Sequence, residues 1–240
     1  MHISVHPDYR RRGIGSELME TIIPVLRERG RKVMEGYYIT EGSTGEHFTR
    51  AQGFKVVHTR VAQMLTFAEV DPGLWEVATP EGYRLVRWIG HALDDLVESY
   101  SRARDAIADA PTGDSTYVTP DWSVASIRRL EAENREQGVE WRTVVAVDER
   151  GEVTGLTEVE RLPLSPDRLF QGDTAVLAAH RGHGLGLAMK ADMLRWLTAD
   201  NDGLDHVWTS TGTTNVHMVA VNAKLGFKTV RRSNVVSRKL

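Results

Sequence analysis

The chain has 240 residues, 41% of them hydrophobic and 26% charged, with a formal net charge of −3 and a pI near 6.3. That composition belongs to a globular protein with a sizeable core, and its acidity argues against a dedicated nucleic-acid binder. Zero cysteines exclude disulfides, thiolate nucleophiles and Cys-type metal sites, and no apolar run approaches the roughly 20 residues of a membrane span. With no apolar signal-peptide core near the N-terminus, the expectation is a cytoplasmic protein without nucleic-acid or membrane partners.

In chain order, the first feature is Val5-His-Pro-Asp-Tyr-Arg10-Arg-Arg-Gly13-Ile-Gly15. A helix-compatible stretch follows, with Pro24 placed to kink it, then a strand-like run and the pair Gly53-Phe54. The pattern returns at Val176-Leu-Ala-Ala-His-Arg181-Gly-His-Gly184-Leu-Gly186, again with a helix, a strand and a Gly-Phe pair, Gly226-Phe227. The two arginines lie 171 residues apart and the Gly-Phe glycines 173 apart, so the chain holds two copies of one architecture.

The copies are unequal. From Gly82 to Arg181 is 99 residues, whereas nine precede Arg10. Residues 1–70 are therefore expected to be a partial, non-catalytic copy lacking its front half, 71–81 a linker, and 82–240 a complete copy. Either the chain starts late within a longer protein or a half-domain was kept as a buttress. The apolar helix face of the partial copy then needs cover from the complete copy, from a partner chain in a homodimer, or from upstream residues.

Within the complete copy, Tyr83–Ile89 alternates with period two and predicts a strand. Leu93 to Ala110 suits a helix, with Leu93, Leu96, Val97 and Tyr100 on one face. Thr119-Pro120-Asp121 predicts a helix start, the helix running to about Gln137. Trp141–Val147 and Glu152–Leu162 form a predicted hairpin, followed by a strand at Thr174–Ala178 and a helix at Leu185–Leu197. A strand at Val207–Thr211, a helix at Val216–Leu225 and a strand at Lys228–Val236 complete an α/β fold, a mixed sheet with helices on its faces. Trp141, Trp196 and Trp208 fall on apolar patterns and are expected in the core.

The strand–glycine loop–helix junction at Arg181–Gly186 suits an anion. Unpaired amides at a helix N-terminus carry partial positive charge, and glycines let phosphate oxygens approach the backbone. A Walker A loop is absent, and the dinucleotide fingerprint fails because Leu occupies position 187. His180 and His183 lack a third ligand at a useful spacing, so no metal is expected.

Arg-x-x-Gly-x-Gly after a valine-bearing strand, with Asn215-x-x-Met218-x-x-x-Asn222-x-x-x-Gly226-Phe227 downstream, resembles the GNAT superfamily of N-acetyltransferases. The resemblance covers about residues 82–240 and the second half of the fold in 1–67. It is nearest to tandem-domain members such as mycothiol-synthase-like proteins and uncharacterised actinobacterial acetyltransferases. It implies that backbone groups of Thr174, Ala175 and Val176 pair with pantetheine like an added strand. It implies further that the amides of Arg181, Gly182, His183, Gly184, Leu185 and Gly186 hold the pyrophosphate, and that Asn215 contacts the pantetheine arm or holds the strand end.

The implied reaction transfers acetyl from acetyl-CoA to a primary amine, with a small-molecule amine as partner. The family's helix tyrosine, the usual proton donor to the leaving thiolate, is replaced by Asn222 and, in the first copy, by Thr49. Asn222 has an amide to offer the sulfur but no acid. For a base, Glu158 and Glu160 lie two apart on one strand face, and Asp173 is a further candidate. The alternative to an enzyme is an inactive CoA-binding module, a sensor or scaffold.

Overall fold

The computed structural model describes residues 3–116, 118–201 and 203–240. The chain forms two compact units. The first comprises Met1–Val61, Thr112–Tyr117 and Arg231–Leu240, and the second Ala62–Pro111 and Val118–Val230. Both units are discontinuous in sequence, because the strands ending each sequence repeat cross the unit boundaries.

The first unit contains α1 (Ile14–Glu28), β1 (Val33–Thr40), α2 (Thr44–Ala51), the start of β2 (Lys55–Thr66) and most of β8 (Lys228–Lys239). Strand β8 lies between β1 and β2, antiparallel to β1 from Val33↔Lys239 to Thr40↔Ser233. Helix α1 runs through Pro24 and buries Met19 and Ile23 against Met34, Phe54 and Val236. Helix α2 has a reciprocal cap: Ser43 Oγ accepts from the Glu46 amide, and the Glu46 carboxylate accepts from the Gly42 amide.

The second unit orders its strands β2-β7-β6-β5-β4-β3, with β3 at Tyr83–Ile89, β4 at Glu140–Asp148, β5 at Val153–Arg161, β6 at Arg168–Val176 and β7 at His206–Gly212. Pairing is antiparallel from β3 to β6 and parallel between β6 and β7. Alternation along β4 divides the core. Val144 and Ala146 join the cluster of α5 (Leu185–Asp200), while Val145 and Val147 join that of α3 (Val97–Arg104) and α4 (Val124–Glu136). All four are fully buried, each larger side chain contributing about 1.5–3 kcal/mol. Helix α6 (Val216–Lys224) precedes β8.

The element order agrees with the reading from sequence, but two helix starts differ, and the strand expected at Thr174–Ala178 runs over Arg168–Val176, where it pairs with β5 from Arg161↔Leu169 onward. Helix α3 is confined to Val97–Arg104 and continues only as a 3-10 turn over Asp105–Asp109, because Ala103 and Arg104 are its last buried positions. Helix α4 starts at Val124, not Thr119. The Asp121 carboxylate accepts from the Ser123 amide and from both serine hydroxyls, Ser123 and Ser126, while Ser123 itself caps the helix. This turn keeps Trp122 outside the helix. The segment 71–81 carries Trp75, 2% exposed, whose indole donates to the Leu225 carbonyl inside the second unit. Trp141, Trp196 and Trp208 are half-buried rather than core; Trp75 and Trp88 are the buried tryptophans.

The two repeats share their loop geometry. Arg10 Nε donates to the Val5 carbonyl at 3.0 Å and Arg181 Nε to the Val176 carbonyl at 2.9 Å, which explains the five-residue spacing. Gly13 and Gly184 both precede a helix at φ +83°. One position differs: Gly182 sits at φ +86°, while its counterpart Arg11 is forced to φ +61°. Arg11→Gly is expected to raise stability by about 0.5–1 kcal/mol, read by thermal melting, because relief of left-handed strain outweighs the added chain entropy.

Candidate functional site

Beyond Phe170↔Trp208 the recorded pairing of β6 with β7 stops, so the strands splay over Gln171–Val176. On its other edge β6 stays paired to β5, including Leu156↔Ala175 and Thr157↔Thr174. Thr174, Ala175 and Val176 therefore present one backbone edge to the opening. At its end Arg181 staples the loop through Val176, and its Nη2 pairs with Asp109 at 2.5 Å. Two of its nitrogens thus meet protein groups, while the side chain stays 48% exposed.

The amides of Gly182, His183, Gly184, Leu185, Gly186 and Leu187 find no acceptor among the described residues; the first helical bond is Ala188 to Gly184. No acidic residue lies in the first turn of α5. Gly182 and Gly184 are required by positive φ, but Gly186 is helical and a Cβ there would meet nothing within 4 Å. Neither backbone nor packing explains a glycine there, which costs about 1 kcal/mol of helix stability. It does keep the ground before the helix clear.

The first-unit loop is built differently. A Cβ on Gly15 would meet the Phe48 ring at 3.1 Å, so that glycine serves packing. The Glu17 amide bonds Gly13 as Ala188 bonds Gly184, but the Ser16 amide, counterpart of the free Leu187 amide, is bonded to Gly13 as well, and Glu17 places a carboxylate in the first turn of α1.

Facing α3, the sheet carries the predicted carboxylates. Glu158, 1% exposed, accepts from Tyr100 Oη and from Arg104 Nη1, and Arg104 is itself 2% exposed. Arg104 Nη1 also donates to Tyr100 Oη at 2.7 Å, and its guanidinium lies 3.5 Å over the Trp122 ring. Opposite Glu158, β6 has two residues, Gly172 and Asp173, a bulge between Thr174 and Gln171 that brings Asp173 to 3.8 Å from Arg104. Burial works against the Arg104 charge, but Glu158 and Tyr100 outweigh it and hold the guanidinium protonated. Burial pushes the Glu158 carboxyl up, with Arg104 opposing.

Glu160 is the open member of this group. It is half-buried and has no hydrogen bond among the described residues. Its carboxyl is raised above the ordinary range by burial, then by the charges of Glu158 and Asp173. A carboxyl shifted upward holds an accepted proton more firmly, as a general base requires.

The remaining expected residues are held by the protein. Asn215 caps α6, its Oδ1 accepting from the Met218 amide at 3.2 Å. Asn222 is fully buried and donates its amide to Gln63 Oε1 at 2.9 Å, leaving Oδ1 unpartnered. His180 meets the Tyr83 hydroxyl at 2.8 Å. Among the described residues no cluster of His, Asp and Glu could hold a metal, and no helix is long and apolar enough to cross a membrane.

Sequence reasoning missed Tyr100, Arg104 and Trp122 as site residues. The available signal was an arginine on the apolar face of α3, four residues after Tyr100 and seven after Val97.

Known protein families match both repeats. The acetyltransferase (GNAT) family matches residues 101–227, and an acetyltransferase (GNAT) domain matches residues 1–56. No curated protein matches. Among solved structures, a tandem GNAT protein from the clavulanic acid biosynthesis pathway is 26% identical, with a TM-score of 0.80 over 98% of this chain and 73% of that one. A GCN5-related N-acetyltransferase from Sphaerobacter thermophilus shares the fold at 18% identity and TM-score 0.72, covering 98% of this chain and 70% of that one. One from Kribbella flavida does so at 14% and 0.58, covering 91% and 73%. With both repeats matched and one match spanning more than half the sequence, the chain belongs to the GNAT family as a tandem N-acetyltransferase, an acyltransferase.

Proposed function

We propose that the protein transfers acetyl from acetyl-CoA to a primary amine of a small molecule, using the copy in residues 82–240 alone. The observation that carries this reading is the row of unpartnered amides from Gly182 to Leu187 before α5, at the end of the splayed edge of β6. Those amides would hold the pyrophosphate, and the edge of Thr174–Val176 the pantetheine arm. Glu160 would take the ammonium proton, freeing the nitrogen to bond the thioester carbonyl as the carbon–sulfur bond breaks. Asn222, turned to Gln63, supplies no acid, so the thiolate leaves to take its proton from water. The net charge of −3 supports a small acceptor, since no basic excess is available to gather an acidic macromolecule.

The partial copy in residues 1–70 is proposed to bind no cofactor. Glu17 would repel phosphate, and the Ser16 amide, whose counterpart at Leu187 is free, is already bonded to Gly13. A thiol-release assay over an amine panel, beside calorimetry with acetyl-CoA, tests the reading; saturable binding without turnover on any amine would overturn it. Gly186→Ala is expected to stabilise the fold by about 0.5–1 kcal/mol while weakening acetyl-CoA binding about tenfold. Melting curves with and without ligand separate the two effects.

A further inference from the structure

The register lines up one row of side chains across four strands. Trp141 of β4 pairs with Glu160 of β5, Glu160 with Phe170 of β6, and Phe170 with Trp208 of β7. Directly paired residues share a face of the sheet and stand about 5 Å apart. Val159, Leu169 and Val207 join the α5 cluster, so the row faces the other way, toward the side of α3. All four side chains are half-buried, and the Phe170 and Trp208 rings meet with centroids 4.5 Å apart. Phe170↔Trp208 is the last recorded pair before β6 and β7 splay. Glu160 Oε1 lies 3.9 Å from where a Cβ on Gly172 would stand, so the carboxylate leans over the opening itself.

We propose that the acceptor is a primary amine on an apolar body, aryl or alkyl. Its ammonium meets Glu160, and its body lies along Phe170, Trp208 and Trp141. Aromatic surface left half-exposed around one carboxylate complements such a cation in both charge and apolar area. The other polar side chains of this face are engaged: Glu158, Tyr100 and Arg104 bond one another, and Asp173 lies against Arg104. Apart from two indole N–H groups, the row therefore answers a ligand with one carboxylate and ring surface. An amino sugar would bring several hydroxyls there and leave most of them without partners. The carboxylate of an amino acid would meet Glu160 as a like charge. The inference rests on the acetyl-transfer reading for the role of Glu160; the aromatic row stands without it.

The test offers the full chain phenylethylamine and hexylamine, beside glucosamine and the linear amino alcohol equal in length to hexylamine. The two apolar amines are expected to exceed the two polar ones in kcat/KM by about thirtyfold, the worth of covering most of a ring's surface. Phe170→Thr and Trp208→Thr each remove a ring and keep a β-branched strand residue. Each should cut the preference for phenylethylamine over the amino alcohol about tenfold, through KM rather than kcat. Equal rates across the panel, a preference for glucosamine, or variants that leave the preference intact would overturn the inference; the wild-type panel decides it alone if the variants fail to fold. If no amine is acetylated, the transfer reading fails separately, and calorimetry with phenylethylamine in the presence of CoA decides the row. Binding weakened by either variant supports it; no binding, or binding indifferent to both, overturns it.

Discussion

Glu160→Gln is expected to lower kcat about a hundredfold while leaving acetyl-CoA affinity and melting temperature close to wild type. The loss is the usual scale for a missing general base. The neighbouring Glu158→Gln should behave in the opposite sense, because its carboxylate neutralises a buried arginine. Removing one partner of such a pair costs about 3–5 kcal/mol, so this variant should melt early or fail to fold. The pH profile separates the two residues further. Glu160 must lose its proton to act, and its carboxyl titrates above the ordinary carboxylate range. The acid limb of kcat/KM should therefore lie above that of an ordinary carboxylate, activity rising with pH through that limb and falling below it. A limb at the ordinary carboxylate position or lower would remove Glu160 from the role.

Lys190→Met is expected to stabilise the protein by several kcal/mol near neutral pH. The side chain is 1% exposed within α5, and its amine lies 5.3 Å over the Phe227 ring with no hydrogen-bond acceptor among the described residues. Burial lowers its pKa from 10.5 to about 7. Between those values the unfolded chain holds a proton that the folded chain has released, so stability rises with pH, by up to about 1.4 kcal/mol per unit. Below pH 7 both states are protonated and this contribution flattens at its most unfavourable. Denaturant titrations from pH 6 to 10 should show this slope in the wild type relative to the Met variant, which cancels the titration of other groups. Parallel curves would mean that the amine reaches water.

What was legible in the sequence follows from how locally each feature is determined. The glycine loops were legible because positive φ at Gly13 and Gly184 and the Arg-to-Val staple act within a few residues and occur twice. The partner of Arg181 at Asp109 was not legible, because it lies 72 positions away. The hairpin of β4 and β5 was legible from its turn and alternation, which put Glu158 and Glu160 on one face. Their different fates were not. Arg104 reaches Glu158 across 54 positions, and only the packing of α3 on β5 brings them together. Trp122 joins them because Asp121 delays the start of α4, a side-chain competition that the Thr-Pro-Asp signal conceals. Lys190 was hidden by its neighbours: α5 is apolar nearly all round, so no polar face marked where a lysine should point.

One of the two repeated loops is proposed to hold acyl-CoA and the other to hold none. Isothermal titration of the intact chain with acetyl-CoA measures it directly. One site per chain is expected, lost in Gly186→Trp and unchanged in Gly13→Ala. Two sites per chain, no site, or a single site abolished by the Gly13 variant and spared by the Gly186 variant would contradict it.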